Sequence, residues 1–239
     1  MIPINKDDAP EELIDLYNSQ KKAGASPVDA YKALTKKPEL KAEVRISLEK
    51  EQCHLCAYCM CKIPVSNVDN GIPSDIIEHI IPRNHPSGLD IGQGLDYKNL
   101  VVTCNGNQGA KGTRKFIDLT CDAHKKDKLL KVINPCKAST LASIYYKNNG
   151  EIYSDIPDVL YDLEDVLNLN CSSAPHIGIR KKIIDELWKE ALEYDDPSNL
   201  LKEFSIRLET IENSIKAKDP QPAYIGVTLF ILKEIIVKI

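Results

Sequence analysis

The chain has 239 residues, of which 43% are hydrophobic and 28% charged, with 31 Lys and Arg against 35 Asp and Glu for a net charge of −4. That length suffices for a sizeable core in one large domain or two small ones, and the composition is ordinary for a soluble globular protein. The acidic balance excludes binding to nucleic acid by overall charge, so any such surface must be local. The first ten residues lack the apolar stretch of a secretory signal. The uncharged run Pro220–Leu232 is shorter than the about 20 apolar residues of a membrane span. A cytoplasmic location is expected.

Residues 1–52 read as helices. Pro10-Glu-Glu-Leu-Ile-Asp-Leu-Tyr17 opens an amphipathic segment. Ser26-Pro27-Val28-Asp29 combines a capping serine, a proline at the first helical position and an acid in the first turn. A third helix, about Pro38 to Gln52, aligns Leu40, Val44 and Leu48 on one stripe.

Residues 53–155 change character: apolar runs shorten, and Gly, Pro and Asn become frequent. Asp75–Pro82 and Asn99–Thr103 are short and β-branched, which predicts two strands. A loop over Pro86–Asp96 separates them, and a helix is expected from Asp122 towards Lys131. Asn148-Asn149-Gly150 lies between the β-formers Ile144–Lys147 and Glu151–Tyr153, a hairpin signal. Residues 156–239 return to helix. One stripe is Ile179, Ile183, Leu187 and Ala191; a second is Leu200, Phe204, Leu208, Ile211 and Ile215. The last is Ile225, Leu229, Leu232, Ile236 and Ile239, on a helix apolar over much of its circumference and expected to be buried. The six acids between Glu151 and Asp165 read as a solvated face. The predicted class is α+β, mostly helical, in three segments.

Four of the eight cysteines fall between Cys53 and Cys61, which suggests a metal knuckle rather than a disulfide framework. Cys56 and Cys59 at C-x-x-C spacing suit one tetrahedral zinc ion. Cys104 and Cys121 are the natural third and fourth ligands, with Cys53, Cys61 and His124 as substitutes; a redox C-x-x-C is the competing reading. Cys136 and Cys171 read as small buried apolar residues. Glu78 offers an oxygen to a hard divalent cation, and His79 follows it directly. Neighbours on a strand face opposite sides, so both serve one site only if the chain bends there. Asn99 is placed to fix the His79 ring, and Asp122, at a helix start, to supply a second oxygen.

The order Cys-x-x-Cys, Glu-His-Ile-Ile-Pro, Asn-Leu and Cys-Asp-x-x-Lys resembles the HNH (ββα-metal) endonucleases. Glu51-Gln52, Ile133-Asn134-Pro135 and the Tyr-rich hairpin extend the likeness to the PtuB-type nucleases of Septu and retron-associated anti-phage systems, over about residues 45–155. The resemblance implies a zinc-stapled nuclease core with Mg²⁺ or Mn²⁺ at the reacting phosphate, and a PtuA-like ABC-type ATPase as partner. It implies DNA as the first substrate to expect. By motif, Glu78 is a metal ligand, His79 the general base and Asn99 its orienting residue. Asp122 stands where the family usually has His or Asn, as second metal ligand, with His124 as the alternative.

Arg83, Lys111, Arg114 and Lys125 are the expected phosphate contacts, within a local excess of seven Lys or Arg over three Asp from Ala110 to Lys131. Lys125 matches the family's lysine three residues past the third motif position. The flanking helices, the C-terminal one first, are the expected ATPase surface. The alternative function is a zinc-stapled module that binds nucleic acid or protein through a degenerate nuclease site; a thiol redox protein is a third.

Overall fold

The structure, a computed structural model, describes residues 1–64, 74–84, 92–108 and 115–238; no helix among these is long and apolar enough to cross a membrane. Prolines stand at the starts of the first three helices, where a missing N–H is harmless. These are α1 (Glu11–Lys22), α2 (Pro27–Thr35) and α3 (Pro38–Glu51). Ser26 Oγ accepts the Asp29 N–H at 3.1 Å, as an N-cap does. Leu40, Val44 and Leu48 are buried along α3, as their spacing predicts.

Strands β1 (Asp75–His79) and β2 (Leu100–Cys104) pair antiparallel, with Glu78 opposite Val101 and His79 opposite Leu100. The far edge of β2 is closed by a side chain. Val102 N–H donates to Gln52 Oε1 at 2.7 Å, and Gln52 Nε2 donates to Val102 O at 2.7 Å, a primary amide acting as one more peptide unit. Among the described residues β1 has no second strand neighbour, so side chains from both of its faces border one open edge. Between the strands lie the short α4 (Gly92–Leu95) and a 3-10 turn, Tyr97–Asn99.

A second 3-10 turn, Phe116–Asp118, leads to α5 (Cys121–Lys125), half the length that the sequence predicts. Lys126 leaves the helical region at φ +50°. The N–H groups of Lys131, Val132 and Ile133 all donate to the Asp162 carboxylate, at 2.8, 2.8 and 2.9 Å, instead of to a helix. Asp162 is therefore fully buried, which corrects the reading of its acidic stretch as uniformly solvated.

The hairpin β3 (Tyr145–Tyr146) and β4 (Ile152–Tyr153) turns through Asn148–Gly150, where Gly150 alone takes a positive φ, +89°. Four helices complete the chain: α6 (Pro157–Tyr161), which runs into a π-turn, α7 (His176–Leu192), α8 (Pro197–Lys216) and α9 (Ile225–Lys238). On α7 the buried face is His176, Arg180, Ile184 and Leu187, so the stripe predicted through Ile179 is rotated; Ile179 is 38% exposed. The cause is Arg180, drawn inward by Gly150 O at 2.7 Å, Leu169 O at 2.9 Å and Asn170 Oδ1 at 3.0 Å. The α9 helix packs on α7 and α8 and buries Ile225, Val227, Ile231, Leu232 and Ile235. One hydrophobic core runs from Ile2 to Ile235 through all three segments.

Candidate active site and metal centre

A tight turn after α3 presents the first two sulfurs. Leu55 and Lys62 form an antiparallel bridge, Cys56 N–H donates to Cys61 O at 2.9 Å, and Met60 turns the chain at φ +63°. The Cys61 N–H lies 3.5 Å from Cys59 Sγ. The end of β2 adds Cys104 and the start of α5 adds Cys121. All four sulfurs are buried and lie within 4.8 Å of one another; among the described residues they form the one such group.

The Cys56–Cys121 and Cys59–Cys104 sulfur separations are 3.8 and 3.7 Å. A tetrahedron with metal–sulfur bonds of about 2.3 Å has edges of about 3.8 Å. The donor set and its spacing thus fit a soft tetrahedral ion such as zinc. The neighbouring Cys121 thiol holds Cys104 down at about 6, while Cys104 in turn raises Cys121 well above the usual thiol range. Thiols this close share protons among themselves, and a bound ion displaces those protons.

One peptide beyond Cys121 the chemistry changes. Asp122 faces an open cleft of about 300 Å³ that is also lined by Tyr31, Glu78, His79, Arg83 and Lys126. Glu78 and His79 both reach it because it runs along the open edge of β1. Burial, then the adjacent Asp122 carboxylate, raises Glu78 to about 8, against the opposing pull of Lys125. Two carboxylates in one cleft are a hard oxygen donor set for a divalent cation.

His79 is held from two sides. Its Nε2 lies 3.1 Å from Gly94 O, and Tyr31 meets its ring edge-on at 4.7 Å between centroids. A carbonyl can only accept, so Nε2 carries the proton and Nδ1 keeps its lone pair. Burial pushes the imidazole down to about 3, so it is neutral at neutral pH. The carbonyl is in place because α4 presses on α2: a Cβ at Gly94 would lie 2.1 Å from Pro27 O. Neither Tyr31 nor Gly94 is legible as a site residue in the sequence, since each acts across helices distant along the chain.

Asn99 clasps the turn that follows His79. Its Oδ1 accepts the Ile81 N–H at 2.8 Å and its Nδ2 donates to Ile81 O at 3.0 Å, so the side chain positions the backbone beside the histidine. Lys125 departs from the expected phosphate role. It is fully buried, its ammonium 2.6 Å from Glu78 Oε1 and 3.1 Å from His79 O. His124 departs from its place as alternative metal ligand: its Nδ1 lies 2.9 Å from Val166 O and its ring stacks on Phe116. Arg83 does border the cleft, its guanidinium 4.3 Å above the Tyr31 ring. Lys111 and Arg114 lie outside the described residues.

Cys53 stands apart from the four-sulfur group, its thiol 3.8 Å from Ile215 O. Cys171 is buried, and Cys136 packs against the small cluster of Ile4, Ala57, Ile80 and Val101. Neither a scan of protein-family models nor a search of curated proteins finds a match to this chain.

Proposed function

We propose that the protein is a metal-dependent endonuclease of the HNH type that hydrolyses phosphodiester bonds, DNA first. We further propose that it is the effector subunit of an anti-phage complex with a PtuA-like ABC-type ATPase. The observation that carries the first part is the shared cleft: Tyr31, Glu78, His79, Arg83 and Asp122 border one opening although they come from three separate stretches of chain. The second part rests on the motif order from Glu51 to the hairpin.

In this reading His79 Nδ1 accepts the proton of the attacking water, and Gly94 O and the Asn99 clasp hold the ring in place for that transfer. Arg83 meets the phosphate from the Tyr31 side. Glu78 and Asp122 would hold Mg²⁺ or Mn²⁺, which supplies electrostatic stabilisation of the charge that develops on phosphate oxygens. The four cysteines would hold a structural zinc.

The test is a cleavage assay on DNA and RNA with Mg²⁺ or Mn²⁺, with and without the ATPase. His79→Ala should lower the rate by about 10²- to 10⁴-fold while leaving the fold intact. Cleavage at an unchanged rate in that variant would remove the catalytic role.

A second reading, a zinc-stapled binding module, is favoured by one contact: an ammonium already lies 2.6 Å from the carboxylate of Glu78. It predicts nucleic-acid or protein binding with no cleavage under any divalent cation.

A further inference from the structure

Phe116 sits on the 3-10 turn before α5 with 44% of its surface exposed, an unusual position for a phenyl ring that is nonetheless held in place. On one face His124 stacks at 4.3 Å with the two planes 18° apart, and that imidazole is itself buried and tied to Val166 O. Over the ring stand two ammonium groups, Lys126 at 4.8 Å and Lys128 at 5.9 Å. Lys128 is tethered to Asp165 O at 3.0 Å, whereas Lys126 is exposed and also lines the cleft that contains Glu78, His79 and Asp122.

We propose that Phe116 is a stacking platform for an unpaired base of the nucleic-acid strand that enters the cleft, with Lys126 holding the phosphate between that base and the reacting position. This inference rests on the nucleic-acid reading of the cleft. An aromatic face beside cations is what single-stranded binding surfaces share, because every base offers a π-face and every linkage a negative charge. A ring already fixed by His124 loses little freedom on binding. Lys126 can exchange its contact with the ring for one with a phosphate, which opens the face to the base. A base inside a duplex cannot reach such a platform. The substrate class is therefore single-stranded, gapped or flipped nucleic acid.

The chain has a single tryptophan, Trp188. Trp188→Phe combined with Phe116→Trp places the one indole at the platform. With no divalent cation added, a single-stranded oligothymidylate should quench its emission, and an abasic oligomer of the same length should not. In the natural background, Phe116→Ala should weaken the base-bearing oligomer by about 5- to 100-fold and leave the abasic one unchanged, with Phe116→Tyr keeping the affinity. Equal quenching by both oligomers, or equal affinity in Phe116→Ala and the unmodified chain, would overturn the proposal. A chain that stacks bases but cleaves nothing keeps the platform and loses the nuclease. A chain that cleaves, with Phe116→Ala unaltered in binding, loses the platform alone.

Discussion

The sulfur group and the cleft lie one peptide apart and are opposites in chemistry. Four like donors, fully buried and at tetrahedral separations, make a closed site with no room for another ligand. The cleft combines the carboxylates of Glu78, Asp122 and Asp127 with an imidazole, a guanidinium and the Lys126 ammonium, and it is open. A closed set of identical ligands settles its own charge when metal binds. A mixed, open set leaves charge to be settled by whatever enters. One region is built to stay the same and the other to change partners.

The largest effect should come from the closed side. Cys56→Ser removes one of four ligands, and structural zinc sites contribute about 10 kcal/mol or more to folding. Loss of bound metal and of the cooperative melt is expected, read by metal analysis and circular dichroism. A variant that keeps both would make the sulfurs ordinary core and dissolve the contrast.

On the open side Lys125→Met should cost about 3 kcal/mol in urea unfolding and leave metal at the cysteines unchanged, because it strips the cation from a buried carboxylate. Metal lost along with stability would show that the two regions are one unit.

The pH dependence separates the cleft further. His79 at about 3 and His176 at about 4 are buried neutral, so the unfolded chain binds more protons below its own histidine value of about 6.5. Their contribution is complete above that value and is lost as pH falls towards 3. Glu78, raised to about 8, has the opposite sign: its contribution is present at low pH and is lost as pH rises from about 4.5 to 8. The stability of the unmodified chain relative to Glu78→Gln, in which the other titrating groups cancel, should therefore decline from pH 6.5 to 8 with a slope of at most about 1.4 kcal/mol per pH unit. Saturating Mg²⁺ should flatten that limb, since a bound cation keeps Glu78 ionised in the folded state. A slope indifferent to Mg²⁺ would argue against a cation at Glu78.

The smallest effect should be Ser26→Ala, an exposed N-cap that lines neither the cleft nor the sulfur group, at about 1 kcal/mol by thermal melts with metal content unaltered.

Features with local signals were readable in the sequence: the Ser26 cap, the Leu40–Val44–Leu48 stripe and the Cys56–Cys59 spacing all depend on residues within a turn or two. Cys104 and Cys121 needed the motif order, because seventeen positions separate them. What escaped were charged residues turned inward by distant partners. Asp162 collects three N–H groups from about thirty residues away, Arg180 reaches the hairpin carbonyl of Gly150, and Lys125 reaches β1. In a linear reading each is one more solvated charge, since nothing nearby in the chain marks its partner. Gly94 escaped for the same reason: its need for glycine arises from the Pro27 backbone.

Cys121 and Asp122 are consecutive, and their α-carbons are about 3.8 Å apart across the peptide. The Cys56 and Cys121 sulfurs stand 3.8 Å from one another. An oxidant that joined these two would draw them together by about 1.7 Å, to disulfide length. The first turn of α5 would move with its cysteine, and the carboxylate next to it would leave its place beside Glu78. Damage to the sulfur group would thus register at the cleft through a single peptide bond.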